Sequence, residues 1–266
     1  MKIHMNLIKV ILSIGLILGL LGVKTSHADD LDMVLAAKKI RVGIDFSTPP
    51  YGMLDEKLQQ TGTDIEYARL LAADLGVNLE VVQLTGANRV PFLQTNKVDV
   101  VIASFSITAE RMKVISFSKP YSVIASAIGA PERVKISSLA DLAGKKIGVT
   151  RGTVNDGIIT SKAPPGTQIM RFEDDSASAT AMLTGQIDAY ATALPVYLAL
   201  NKRDPSLKMR TAVALEYFRL GVGVRQADTK LHERLNVWVD TNLQNGKIPA
   251  IYQKYLGEPL PIEQLK

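Results

Sequence analysis

Polar and apolar residues along the first half of the chain alternate in segments whose periods predict strands and helices in turn. Residues 40–45 (IRVGID) form a short apolar run that is typical of a buried strand. Residues 63–75 (TDIEYARLLAADL) have apolar positions three and four apart, which predicts an amphipathic helix ending at Gly76. The next predicted elements are a strand at 79–84, a short helix at 89–94 and a strand at 98–103. This alternation predicts a parallel α/β sheet.

The same alternation starts again after Tyr121, which indicates a second unit with its own core. The predicted elements of this unit are a short helix at 139–142, strands at 146–149, 168–172 and 187–192, and helices at 153–160 and 177–184. One more apolar strand is expected at 220–224, followed by two helices around Trp238 and Tyr252. The periodicity does not decide which unit these last two helices cover.

The first 28 residues are typical of a cleavable secretory signal peptide. Lys2 and Lys9 accompany an apolar run over 10–23, which is shorter than the roughly 20 residues of a comfortable membrane span. Small residues at Ser26 and Ala28 suit cleavage before Asp29. We therefore expect an exported protein whose mature chain begins near Asp29.

Charge and cysteine content narrow the class of protein further. Loss of the signal peptide removes three lysines and leaves 28 basic and 26 acidic residues, so the mature surface gives no reason to expect a nucleic acid or an anionic membrane as partner. The chain has no cysteine, which argues against a lipid-anchored N-terminus, disulfides, thiol nucleophiles and thiolate metal sites. His232 is the one histidine of the expected mature chain and is predicted on a helix surface, which argues against a Ser-His-Asp triad and against a histidine-rich metal site.

Residues 103–121 (ASFSITAERMKVISFSKPY) carry the clearest candidate chemistry. Thr108 is a predicted N-cap, which places Arg111 in the first helical turn, where the helix dipole disfavours a cation by roughly 0.3–1 kcal/mol. A bound anion would remove this conflict, and Ser104 and Ser106 could donate to the same anion. An arginine turned into solvent explains the same pattern, so both interpretations stay open at this point.

The chain resembles the family 3 extracellular solute-binding proteins, which are periplasmic amino-acid receptors of ABC importers. The resemblance covers essentially the whole mature chain and rests on GTDIEYARLLAADLG, KVDVVIASFSITAERMKVISFSKPY, LAGKKIGVTRGT, TGQIDAY and NGKIPAIYQKYLG. It implies an α/β, two-lobed periplasmic binding protein type II fold, with two hinge-crossing strands near 122–127 and 217–222 and a ligand cleft between the lobes. The first lobe would comprise 29–125 plus 220–266, including the last two helices, and the second lobe 126–219.

The resemblance also implies which residues bind the ligand. Arg111 matches the arginine that holds the ligand α-carboxylate, and the loop that begins at Gly152 matches a second group of donors to it. The residues expected to bind ligand are Asp45, Phe46, Tyr51, Arg89, Ser104, Phe105, Ser106, Arg111, Gly152, Thr153, Val154 and Thr192. Simpler roles are open for several of them: Thr153 as a helix N-cap, Asp45 as a turn residue, and Phe46 or Tyr51 as a core aromatic.

Two positions bear on the class of ligand. Most amino-acid receptors of this family have an aspartate where this chain has Ala193, and that aspartate pairs with the ligand α-ammonium. Either Asp45, Thr192 and main-chain carbonyls hold the amine here, or the ligand is not an ordinary α-amino acid. Arg89 resembles the side-chain-binding arginine of glutamate and aspartate receptors, which favours acidic amino acids, although a solvated arginine at the rim is the alternative.

These implications predict a receptor that captures a polar amino acid or a related small carboxylate, without a cofactor or metal. It would act as a monomer in the periplasm and deliver its ligand to an ABC transporter permease in the inner membrane. The alternative is a periplasmic enzyme similar to cyclohexadienyl (prephenate or arogenate) dehydratases, which share this fold and need a carboxyl acid near Asn155 and Asp156. Val154 interrupts the pattern of that family, and Asp156 has a simpler helix-capping role, so we expect a receptor and not an enzyme.

Overall fold

A computed structural model describes residues 30–266 of the chain, so the predicted signal peptide and its cleavage site lie outside the described residues. Its first elements, in chain order, are α1 (Asp30–Ala37), β1 (Lys39–Ile44), β2 (Met53–Leu54), β3 (Gln60–Thr61), α2 (Thr63–Leu75), β4 (Asn78–Gln83), α3 (Arg89–Gln94), β5 (Val100–Val101), α4 (Ala109–Met112) and β6 (Ser116–Phe117). The predicted helix at 63–75 is confirmed residue for residue. Gly76 ends it with a left-handed φ of 68°, which places its N–H against the carbonyls of Ala72 and Ala73.

The middle of the chain forms a second group of elements: β7 (Ser122–Pro131), β8 (Lys146–Thr150), α5 (Val154–Lys162), β9 (Gln168–Phe172), α6 (Asp175–Leu183), β10 (Ala189–Ala193), α7 (Leu194–Leu198), α8 (Leu200–Arg203) and β11 (Met209–Leu220). The last part of the chain contains β12 (Gly223–Val224), α9 (Thr229–Gln244) and α10 (Lys247–Leu256). Short 3₁₀ helices lie at Gly86–Asn88, Leu139–Leu142, Pro205–Leu207 and Ile262–Leu265.

The first sheet has the strand order β4-β1-β5-β12-β6, and the hairpin β2-β3 stands beside it as a separate pair. β1 runs parallel to β4 and β5, as the alternating pattern predicts. β12, however, returns from the far end of the chain and pairs antiparallel with both β5 and β6. The parallel pairing predicted for the first strands is thus confirmed, whereas the antiparallel β12 belongs to the predicted strand at 220–224, whose direction and partners no local pattern indicates.

The second sheet has the order β11-β7-β10-β8-β9 and its own buried cluster, which includes Ile128, Ile147, Val149 and Ile159. β7 and β11 pair antiparallel from Ser122–Leu220 to Pro131–Met209, with two register shifts along β11. These two long strands connect the sheets, because the chain leaves the first sheet just before β7 and re-enters it just after β11. The predicted strand at 220–224 is thus divided between the end of β11 and β12.

The two C-terminal helices pack on the side of the first sheet. α9 buries Leu231, Leu235, Trp238 and Val239, and its Asn242 donates to the Asp74 carboxylate at the end of α2 at 2.8 Å. Tyr255 of α10 donates to Glu66 at 3.1 Å. His232 is half-buried and not fully on the surface, because its Nε2 lies 2.7 Å from the Phe117 carbonyl oxygen. Within residues 30–266, none of the helices combines the length and the apolar character that crossing a bilayer requires.

Candidate functional site

A cavity of about 40 Å³ lies between the two sheets. Its lining residues come from both units and from the connecting strand β7: Thr48, Arg89, Ser104, Ser106, Arg111, Ile124, Ser126, Thr153, Val154, Asn155, Asp175, Thr192 and Ala193. Seven of the twelve predicted ligand-binding residues are in this set. The two units also contact one another beside the cavity, through the hydrogen bonds from Thr48 to Asp175 and from Arg111 to the Gly152 carbonyl.

Arg111 bridges the two units at the rim of this cavity. Thr108 is the N-cap of α4, as predicted, and its Oγ1 accepts from the Arg111 N–H at 3.2 Å. The helix has only four residues, so a dipole argument has little weight here. The guanidinium donates instead to the carbonyls of Ser106 at 2.7 Å and of Gly152, in the other unit, at 3.1 Å.

The Arg111 cation keeps donors for a further partner. A guanidinium has five N–H groups, and the two carbonyl contacts account for two of them. The guanidinium carbon lies 4.8 Å from the centroid of the Phe105 ring, so Phe105 makes a cation–π contact with Arg111. Phe105 itself does not line the cavity. Burial, with a smaller effect of nearby Arg89, lowers the pKa of Arg111 to about 9, so the group is charged at neutral pH.

Ser104 has an unusual backbone and a fixed side chain. Its φ of 47° lies in the left-handed region, which is uncommon for a residue with a side chain and costs about 1 kcal/mol or more. The Ser104 hydroxyl donates to Asp64 Oδ2 at 3.0 Å, and Asp64 is buried in the first turn of α2. A buried carboxylate thereby orients one of the polar groups that line the cavity.

The buried Asp64 carboxylate gives the stability of the protein a defined pH dependence. Burial raises the pKa of Asp64 to about 6, although the Ser104 hydrogen bond and the charge of Arg89 oppose this shift. Because the folded-state pKa is raised, the stabilising contribution is complete below the unfolded-state pKa of about 4 and is lost as pH rises through 6.

Asp64→Asn should therefore gain stability relative to the wild type by up to about 3 kcal/mol when pH is raised from about 4 to about 7.5. Urea denaturation of both proteins at the two pH values measures this difference. An identical difference in the free energy of unfolding at both pH values would contradict the prediction.

Arg89 is buried and does not lie at a solvated rim. Its side chain lines the cavity, and its Nη2 lies 3.4 Å from Asp45 Oδ2. Asp45 does not line the cavity; its Oδ1 also accepts from the Ser47 N–H at 3.0 Å and the Ser47 hydroxyl at 2.6 Å. The Asp45 carboxylate thus has both a turn role and a cationic partner inside the protein.

The second unit presents the start of α5 to the cavity. Thr153 is the helix N-cap: its Oγ1 accepts from the Asp156 N–H at 3.2 Å and donates to the Thr150 carbonyl at 2.7 Å. Val154 and Asn155, in the first turn, line the cavity. N–H groups in the first turn of a helix have no partner within the helix and suit an anion. Gly152 precedes this turn with φ 75°, and its carbonyl faces Arg111 instead of lining the cavity.

Asp175 is a cavity residue that the sequence analysis missed. It begins α6 and is 4% exposed. Asp174 caps this helix by accepting from the Ala177 N–H at 2.8 Å, so Asp175 is not needed as a cap. The one sequence signal for Asp175 was that it directly follows the capping Asp174 and is therefore not needed as a cap. No local pattern indicates where its side chain lies. Asp188 accepts from the Lys146 N–H at 2.8 Å, in agreement with the turn role expected for it.

Phe46 and Tyr51 lie elsewhere. Phe46 is half-buried against the main core, and Tyr51 is buried and lines a second cavity of about 700 Å³ that shares no lining residue with the first. Alternate residues of β7 face the two cavities: Ile124 faces the first, whereas Val123 and Ala125 face the second.

Known proteins resemble this chain over most of its length. The L-arginine-binding protein of Pseudomonas aeruginosa is 27% identical over 254 residues, which is 90% of this chain and 96% of that protein. The crystal structure of an ancestral amino acid-binding protein, described as a precursor of cyclohexadienyl dehydratase, matches with a TM-score of 0.78 at 31% identity, over 85% of this chain and 99% of that one. The solute receptor for L-cysteine of Neisseria gonorrhoeae matches with a TM-score of 0.80 at 27% identity, over 86% of this chain and 94% of that receptor.

These likenesses confirm the two-lobed α/β fold that the sequence motifs imply. The family model for the bacterial extracellular solute-binding proteins, family 3, matches residues 40–258, which include both sheets and both C-terminal helices. The chain therefore belongs to the bacterial extracellular solute-binding proteins, family 3.

Proposed function

We propose that this protein is a receptor that encloses a polar amino acid between its two lobes and delivers it to the permease of an ABC importer. The observation that carries the proposal is Arg111, a charged guanidinium with unused donors beside a cavity that the first turn of α5 also lines. Two groups of N–H donors from opposite lobes thus converge where the α-carboxylate of an amino acid would lie.

The lobe boundaries implied by the sequence, 29–125 plus 220–266 and 126–219, fit this role. They place the division within β7 and at the end of β11, where a hinge between the lobes would have to bend. We further propose that the protein works as a monomer in the periplasm of a Gram-negative cell, with the closed pair of lobes as the surface that the permease recognises.

A dehydratase role is less well supported. Asp156, the acid proposed for it, does not line the cavity; it accepts from Arg171 Nε at 2.8 Å and from the Thr160 hydroxyl at 3.2 Å. Its carboxylate is thus occupied on the outer side of α5. The relatives described above are named as binding proteins, which supports a receptor without catalytic activity.

A thermal-shift panel tests the receptor function. It would contain all L-amino acids, dicarboxylates without an amine, prephenate and arogenate. A ligand at 1,000 times its Kd stabilises by about 4 kcal/mol, which should raise the Tm by roughly 8–16 °C for a chain of this size. Large shifts with one group of polar amino acids are expected. Shifts with prephenate or arogenate accompanied by their turnover would favour the dehydratase, and the absence of any shift would overturn the receptor proposal.

Arg89 decides whether acidic amino acids are the preferred ligands. If Arg89 binds a second carboxylate, Arg89→Gln should weaken L-glutamate and L-aspartate by about tenfold or more and L-glutamine by less than about threefold, measured by isothermal titration calorimetry. Because this variant leaves the buried Asp45 without its cation, Asp45→Asn/Arg89→Gln is the matched control that removes both charges. Equal losses for acidic and neutral ligands would exclude this role.

A further inference from the structure

We propose that Asp175 binds the α-ammonium group of the ligand, in place of the aspartate that the chain lacks at position 193. This inference rests on the proposed amino-acid receptor function and assigns the second half of its binding site. It also chooses between the two explanations of Ala193 that the sequence leaves open, because it restores an acidic partner for the amine from a different element.

Asp175 contacts the residue next to position 193 and lines the same cavity as position 193. Thr192 Oγ1 donates to Asp175 Oδ1 at 3.2 Å, and Thr192, Ala193 and Asp175 all line the same cavity as Arg111. Ala193 contributes only a methyl group to the lining of this cavity. The acidic group thus comes from the start of α6 instead of the end of β10.

Neutral donors hold the Asp175 carboxylate without neutralising it. Oδ1 accepts from the hydroxyls of Thr150 at 3.0 Å, Tyr190 and Thr192, whereas Oδ2 accepts from Thr48 at 3.0 Å. Two carboxylate oxygens offer about four acceptor positions, so Oδ2 retains capacity for one more donor. This arrangement fixes the orientation of the group and leaves its negative charge available.

No cationic side chain among the described residues forms an ion pair with the Asp175 carboxylate, and of the two arginines that line the cavity, Arg89 pairs with Asp45. A buried carboxylate without a cation is costly, and an ammonium group is the partner that offsets this cost most directly. Burial raises the pKa of Asp175, in agreement with a charge that lacks such a partner.

The same carboxylate connects the two lobes. Thr48, which donates to Oδ2, belongs to the first lobe, and the Asp175 N–H donates to the Ser47 hydroxyl at 3.2 Å. An amine bound at Asp175 would therefore be enclosed by both lobes, as the carboxylate would be at Arg111. The site then matches a zwitterion, with a cation on one lobe for the carboxylate and an anion on the other for the amine.

Asp175→Asn tests this assignment by calorimetry with paired probes. Each L-amino acid that binds the wild type is compared with its amine-free analogue, beginning with L-glutamine against 4-carbamoylbutanoate and L-glutamate against glutarate. We expect the variant to bind the amino acids roughly 10- to 100-fold more weakly and the amine-free acids within about threefold of the wild type. Asparagine keeps an oxygen acceptor for the surrounding hydroxyls, and the Tm of the free variant checks the fold.

A second variant tests whether the loss of amino-acid affinity in Asp175→Asn is only a structural effect. Asp175→Asn/Ala193→Asp returns a carboxylate to the position usual in the family and should recover at least about tenfold in amino-acid affinity over Asp175→Asn. Equal losses for amino acids and amine-free acids, or undiminished amino-acid binding by Asp175→Asn, would overturn the assignment. If the wild-type protein bound the amine-free acids as tightly as the amino acids, the Asp175 assignment would be overturned, but a receptor for carboxylates would still be supported. If no probe bound, the proposed receptor function would be overturned as well.

Discussion

Arg111→Ala should weaken binding of any carboxylate ligand by at least about 100-fold, because it removes a bidentate, charge-assisted contact whose two hydrogen bonds are worth about 1.5–3 kcal/mol each. Calorimetry with the amino acids that shift the wild-type Tm measures the loss. Part of it should come from the closed state of the lobes, since the same guanidinium also donates to the Gly152 carbonyl of the other lobe. Arg111 therefore has contacts within the protein in addition to the contact proposed with the ligand carboxylate.

Two controls separate the role of Arg111 from general charge effects. Arg151→Ala removes a half-exposed arginine next to Gly152 whose Nε is 3.9 Å from Glu173, and it should leave affinity within about threefold of the wild type. Arg111→Lys keeps the cation without the planar fork and should give an intermediate affinity. If Arg111→Ala bound amino acids as the wild type does, the location of the carboxylate site would be wrong.

Gly62→Ala should lower the free energy of unfolding by about 3 kcal/mol or more, because the native backbone at this position excludes a side chain. Gly62 precedes α2 with φ 117°, and an added Cβ would lie 2.3 Å from the Tyr51 carbonyl oxygen. The Tyr51 carbonyl cannot easily move away from the added Cβ, because its oxygen also accepts a hydrogen bond from the Asp64 N–H at 2.8 Å.

Gly76→Ala is the matched control at the other end of α2. Its φ of 68° is also left-handed, but no atom lies within 4 Å of the added Cβ, so the loss should be about 1 kcal/mol. Urea denaturation followed by the fluorescence of Trp238 measures both variants. Equal destabilisation of the two would show that the close approach to Tyr51 contributes nothing.

The helices with a strong polar and apolar period could be predicted from the residue pattern, whereas the two connecting strands were expected only because of the family resemblance. α2 has a buried face at regular spacing and a glycine stop, and both are local signals. β7 is rich in small residues and buried on both faces along most of its length, so it lacks the alternation of a half-buried strand. β11 alternates irregularly because of its two register shifts.

The candidate site likewise contains some residues that the sequence predicted and others that it did not. Arg111, Ser104 and Ser106 lie in one continuous motif, so a family resemblance was sufficient to select them. Asp175 was missed because its place in the cavity depends on how α6 packs beside β10, which is a tertiary relation without a local pattern. Tyr51 shows the converse: it was expected to bind ligand, but its side chain lines the other cavity.

The position of β12 between β5 and β6 has a consequence for the order in which the newly synthesised chain folds. The second sheet is built from one continuous stretch, residues 122–220, so all its strands are available for pairing once that stretch has been synthesised. The first sheet cannot join β6 to the rest until Gly223 has arrived, and α9 and α10 come later still. We therefore expect the sheet that contains the N-terminal strands to be completed last. A truncation near the C-terminus should destabilise this sheet before it destabilises the second one.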